Sequence, residues 1–173
     1  MRAITIYGAV CLAAGILVGS GAAWADDCLV VIDAAIAQVK VPRADTHVTI
    51  EPGKAPDGVE MIFIGDRVYT QIGGTWQSMT YSAQQQIDAI TASKARAAQS
   101  PYTCHKLASA PINGEAVSVL VMHTETNGKG ADARVWISNT TGLPLKSEMH
   151  LGNGTVFTDD FRYGSIEAPT GVK

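Results

Sequence analysis

The side chains best suited to chemistry in this chain are its histidines His47, His105, His123 and His150, its acidic doublet Asp159-Asp160, and its cysteines. Their spacing argues against most of what they might do elsewhere. No H-x-x-x-H or H-E-x-x-H pairing is present to set two imidazoles on one helical face around zinc. His105 follows a cysteine directly, and alternation along 143–151 puts His150 on the polar face of a strand. Neighbouring strand residues point to opposite faces, so Asp159 and Asp160 do not grip one ion or share one proton. One of the two is expected in solvent and the other at the rim of an apolar face. After residue 25 there is no G-x-S-x-G elbow and no glycine-rich phosphate loop. The reading is non-enzymatic, with no metal and no cofactor.

The cysteines are better explained. Arg2 followed by the apolar run Ile4 to Val18, with small residues at Ala23 and Ala25 before Asp26-Asp27, has the pattern of a secretory signal peptide cleaved after Ala25. Residues 1–25 are therefore set aside as a leader and 26–173 as one exported domain. The apolar run is a little shorter than a membrane span requires, and no other stretch is long and apolar enough. Cys11 leaves with the leader, and Cys28 and Cys104 remain. An even pair in an exported chain reads as a disulfide. A metal pair lacks further ligands at zinc spacing, and a redox pair would want C-x-x-C. The formal net charge of −3 is mildly acidic, which argues against nucleic acid as a partner.

The elements that must carry these residues follow from periodicity and turn chemistry. Leu29, Ile32, Ile36 and Val39 recur at helical spacing behind Asp26-Asp27, and Pro42 stops the pattern, so a helix is expected over 27–40. Strands are expected at 46–51, 59–64 and 67–72, with Trp76 in a fourth, and turns at Gly65-Asp66 and Gly73-Gly74. The Pro- and Gly-rich connection 51–58 is the candidate flap. Ser82 with Gln85 opens a second helix over 82–99, with Ile87 and Ile90 on a narrow apolar face. From Cys104 onward the chain is β. The segment 115–125 is apolar on both faces and reads as a central, doubly covered strand. Asn139-Thr140-Thr141-Gly142 and Gly152-Asn153-Gly154 read as hairpin turns. About nine strands are too many for a flat sheet of ordinary size. The fold class is α+β: a strongly curved antiparallel sheet, an open half-barrel, with helices over its concave face.

Met61, Phe63, Trp76, Leu145, Met149, Phe157 and Phe161 would suit a concave apolar lining, with Ile87 and Ile90 at its edge. Methionine adapts its shape to acyl chains, yet an ordinary core would use the same residues. The segments GDRVYTQIGGTWQSM (65–79), RVWISNTTGLPLKSEM (134–149) and LGNGTVFTDDFRYGSI (151–166) tip the balance. In element order and turn placement, 26–173 resembles the LolA-like family of exported half-barrels: the periplasmic lipoprotein carrier, the outer-membrane lipoprotein receptor and the mycobacterial lipid-binding lipoproteins. The resemblance implies a monomeric periplasmic protein holding an amphipathic lipid or lipid-modified ligand in one continuous cavity. Its alternative is an accessory, chaperone-like envelope module with a self-filled cavity and a protein partner. Free-thiol counting on the exported protein under denaturing conditions is expected to find none at Cys28 and Cys104.

Overall fold

A computed structural model describes residues 22–97, 103–108, 110–126 and 129–172. Helix α1 (Ala22–Val39) leads into β1 (Arg43–Ile50), β2 (Asp57–Ile64), β3 (Arg67–Ile72) and β4 (Thr75–Thr80). Helix α2 (Ala83–Ala97) follows, and then β5 (Thr103–Leu107), β6 (Val117–Thr126), β7 (Lys129–Ser138), β8 (Pro144–Leu151) and β9 (Val156–Tyr163). The nine strands form one antiparallel sheet in the order β4-β3-β2-β1-β9-β8-β7-β6-β5. Its outer strands β4 and β5 do not pair, so the sheet is open and curved rather than a closed barrel.

Local chemistry explains the turns. Gly73 and Gly74 both take positive φ, 56° and 77°, the geometry of a two-residue hairpin whose twist matches its strands. At the β7–β8 turn the Ser138 hydroxyl accepts from the backbone N–H groups of Thr140 and Thr141. Asn153 Oδ1 accepts from Thr155 N in the β8–β9 turn. Ser82 Oγ accepts from Gln85 N and caps α2. The connection 51–56 bends back through Lys54 N donating to Glu51 O, and Pro52 sits close against Gly154 of the β8–β9 turn.

Cross-strand register sorts the side chains into two faces. Phe63, Arg43 and Tyr163 stand in one row, as do Met61, Asp45 and Phe161, and Met149 with Phe157. The same face continues through Ala133 and Met122 to Cys104. Helix α1 lies on it. Val31 and Ala34, one helical turn apart, pack on Leu120 and Ile137, flanked by Met122 and Val135. The Cys28–Cys104 disulfide, Cα–Cα 5.4 Å, fastens the helix to β5. At the other end Gln38 meets Arg43 and Tyr163, so α1 spans the sheet from β5 to the seam of β1 and β9.

Two expectations change. The doubly apolar strand β6 is next to the edge, not central. Its two apolar faces answer to α1 over Leu120 on one side and to Trp136 and Leu107, the cross-strand neighbours of Val119, on the other. Helix α1 also begins earlier than 27, running through the expected cleavage point from Ala22, while residues 1–21 lie outside the described residues. The disulfide bridges a separation of 76 residues, a closure that stabilises by about 4–5 kcal/mol in the chain-entropy model. Replacing both cysteines by alanine is expected to lower the urea-unfolding free energy by up to that amount. Leu120→Ala, at a side chain only 2% exposed, is expected to cost about 2–5 kcal/mol.

Candidate functional site

Strand alternation sends Arg43, Asp45, His47 and Thr49 of β1 to the concave face. The β1–β9 pairing sets them opposite Tyr163, Phe161, Asp159 and Phe157 in turn. A polar row therefore crosses an otherwise apolar surface. Asp159 is the hub of its first half. Its Oδ1 lies 2.6 Å from His47 Nδ1, and its Oδ2 accepts from Ser147 Oγ at 2.7 Å. The other imidazole nitrogen, Nε2, is 3.2 Å from Thr49 Oγ1. The ring stacks on Phe157 with centroids 5.8 Å apart.

Thr49, His47 and Asp159 thus stand in the hydroxyl–imidazole–carboxylate order of an acyl-transfer triad. Thr49, however, sits in extended backbone paired on both sides, opposite Asp57 and Phe157. The N–H groups around it serve the sheet and are not aimed at a developing oxyanion. The array holds a carboxylate in place between an imidazole and a hydroxyl.

The second half of the row is buried. Arg43 Nε donates to Asp45 Oδ2 at 3.0 Å, its Nη1 donates to Gln38 O at 3.3 Å, and its guanidinium stacks 3.7 Å over the Phe63 ring. Asp45 Oδ1 is buried without a partner. Burial pushes the Asp45 carboxyl up from 3.8 to about 6; Arg43 opposes the rise, and the charge of Asp159 adds to it. Tyr163 donates its hydroxyl to Pro144 O at 2.6 Å and accepts from Gln38 Nε2 at 3.0 Å. Burial drives its phenol upward.

Two recesses flank this row, each of about 450 Å³. The first is built on strands alone: Met122 of β6, Ala133 and Val135 of β7, Ser147 and Met149 of β8, Phe157 and Asp159 of β9, and His47 of β1. Glu148 also borders it, its carboxylate ion-paired with Lys146 at 2.9 Å. The second lies under the helices, between Ala35, Gln38 and Val39 of α1, Gln86 and Ile90 of α2, and the sheet residues Arg43, Met61, Phe63, Val68, Thr70 and Met79, with Tyr81 closing it.

The residues expected to form one cavity are therefore divided. Met149 and Phe157 belong to the first recess, and Met61, Phe63 and Ile90 to the second. Phe161 stands in the concave row opposite Asp45, and Leu145 shares the parity of Ser147 and Met149, but neither lines either recess. Ile87 is half-buried on α2 and lines neither. Trp76 is a correction. It pairs with Gln71, while Met79 pairs with Val68 and so with Phe63, which puts Trp76 on the convex face. Arg43 of the buried Arg43–Asp45 pair lines the second recess, and His47, two residues beyond Asp45 on the same strand, lines the first. Sequence reading missed Arg43, Asp45, His47 and Ser147 as site residues, although the shared parity of 43, 45, 47 and 49 was a usable signal. Among the described residues no group of three or more His, Cys, Asp or Glu is placed to hold a metal ion. No helix there is long and apolar enough to cross a membrane.

The nine strands form an open half-barrel with a helix across its concave face, the architecture expected from the sequence. No family profile matches the chain, and no curated protein matches it by sequence. Solved structures do. The MucA/MucB complex of Pseudomonas aeruginosa superposes with a TM-score of 0.54 at 17% identity, over 83% of this chain and 59% of that one. MucB in complex with MucA(peri) gives 0.54 at 16%, over 84% and 61%. The chain spans about three fifths of those proteins' length, and at such identities the likeness is one of fold. The lipoprotein LppX of Mycobacterium tuberculosis gives 0.49 at 10%, over 83% and 98%, too loose a likeness to bear on function.

Asp45 makes stability depend on pH in a stated direction. Between its ordinary value and about 6, the folded protein holds a proton that the unfolded chain has lost. Its contribution to stability therefore falls as pH rises through that window. Asp45→Asn removes this slope. Denaturant unfolding from pH 4 to pH 7 is expected to show variant-minus-parent stability growing with pH, by on the order of 2–3 kcal/mol, and levelling off above the window.

Proposed function

We propose that the chain is an exported, periplasmic, non-enzymatic binding protein, cleaved after Ala25, that holds the apolar part of an amphipathic lipid or lipid-modified ligand on its concave face. The observation that carries this reading is the first recess. Its volume of about 450 Å³ falls within the roughly 300–1,000 Å³ usual for small-molecule sites. Its floor is Met, Val, Ala and Phe, and no residue of α1 or α2 is among its described lining. An apolar floor that no described helix residue lines, beside a few polar groups, is what an acyl chain with a head group requires. Each methylene buried there contributes about 0.8 kcal/mol. Met149, left 42% exposed, is a contact the ligand would cover.

A second reading has one observation in its favour. The fold is shared with MucB, whose structure was solved in complex with MucA, so an accessory module docking a protein segment on the same face is the alternative. The two readings separate in native mass spectrometry of the protein purified from cells: a lipid carrier retains acyl ligands, and a protein-docking module does not. Phe157→Asp, which places a charge on the apolar floor, is expected to weaken uptake of an uncharged fluorescent acyl probe by about tenfold or more, with circular dichroism unchanged. Retention of full uptake by that variant, or no uptake by the parent protein, counts against the lipid reading.

A further inference from the structure

Resting on the lipid reading, we infer that the first recess selects amphiphiles by head-group charge, accepting heads that donate hydrogen bonds and are neutral or cationic and disfavouring anionic ones. The argument is one of inventory. The polar side chains of its wall are His47, Ser147 and Asp159, together with Glu148 at its border. No lysine or arginine is among its described lining. Lys146 is paired with Glu148 and lies near the Trp136 ring, its cross-strand neighbour, on the convex face. Arg43 lines the other recess, where Asp45 and Gln38 engage it.

The acidic group of the His47–Asp159–Ser147 array is the Asp159 carboxylate. That carboxylate is not sealed. The side chains of His47 and Asp159 are 31% and 27% exposed, so both can be reached from the recess. Asp159 accepts one hydrogen bond on each oxygen, and a carboxylate has lone pairs for about four. The site thus has acceptor capacity left over, held rigidly by two strands and a stacked ring. A hydroxyl or ammonium head would complete it. A carboxylate or phosphate head would meet a like charge in a partly desolvated recess, where such contacts are costly.

The test uses three single-chain amphiphiles with the same acyl or alkyl length, monolauroylglycerol, dodecylamine and lauric acid, each below its micelle concentration. Each competes at pH 8 against the uncharged fluorescent probe. The glycerol ester and the amine are expected to displace the probe about tenfold more tightly than the acid. Raising the salt is expected to narrow that ratio. Asp159→Asn is expected to bring it to within about twofold, chiefly by strengthening binding of the acid. Lauric acid binding as well as or better than the others overturns the inference, as does a ratio indifferent to both salt and Asp159→Asn. The salt series on the parent protein decides the matter even if the variant does not fold. Failure of all three amphiphiles to bind overturns the lipid reading itself, and the selectivity with it.

Discussion

The ladder between β1 and β9 joins the start of the domain to its end, and everything of interest on the concave face hangs from it. Eight residues of β1 run opposite eight of β9 without a slip. A register change of one residue would send Asp159 to the convex face and Asp160 into the apolar row. Two things keep the register where it is. Phe157, Phe161 and Tyr163 need cover, and His47 of β1 finds its carboxylate partner, Asp159, on the same side of β9. Apolar burial and hydrogen bonding therefore point to the same alignment, which is what makes a register specific.

Helix α1 turns this sheet into a pair of recesses. It is fastened at one end by the disulfide and at the other by Gln38, and its small residue Ala34 allows a close approach to Leu120 and Ile137. Where Val31 and Ala34 meet Leu120 and Ile137 the sheet is a core, and the second recess lies beside Ala35, Gln38 and Val39 of the same helix. The Arg43–Asp45 pair lies at the helix end, with Arg43 in the wall of the second recess. A buried ion pair gains little net stability because desolvation offsets the Coulomb attraction, and Asp45 retains one oxygen with no partner.

The likeness to MucB agrees with this architecture at the level of fold. The polar row and the charge contrast between the recesses belong to this chain's own side chains. They are what a comparison of half-barrels at such low identity does not address.

Much of the architecture was legible in the residues. Turn chemistry at Gly65-Asp66, Gly73-Gly74, 139–142 and 152–154 placed the hairpins. Period-two patterns placed the strands, the Ser82 cap opened α2, and the expected export with an even cysteine count pointed to the bridge between Cys28 and Cys104. Each of these is a local property, set by φ preferences, alternation or capping within a few residues. The site was not local. His47 and Asp159 are 112 residues apart, and no property of either strand names its partner. Trp76 went to the convex face because the two-residue Gly73-Gly74 turn sets Thr75 opposite Ile72, a register that aromatic character alone does not reveal. The sequence by itself determined which segments are strands and helices and which residues of each strand share a face. Only the tertiary structure decided which faces meet, because pairing between distant strands is set by the combined burial and hydrogen bonding of the whole sheet.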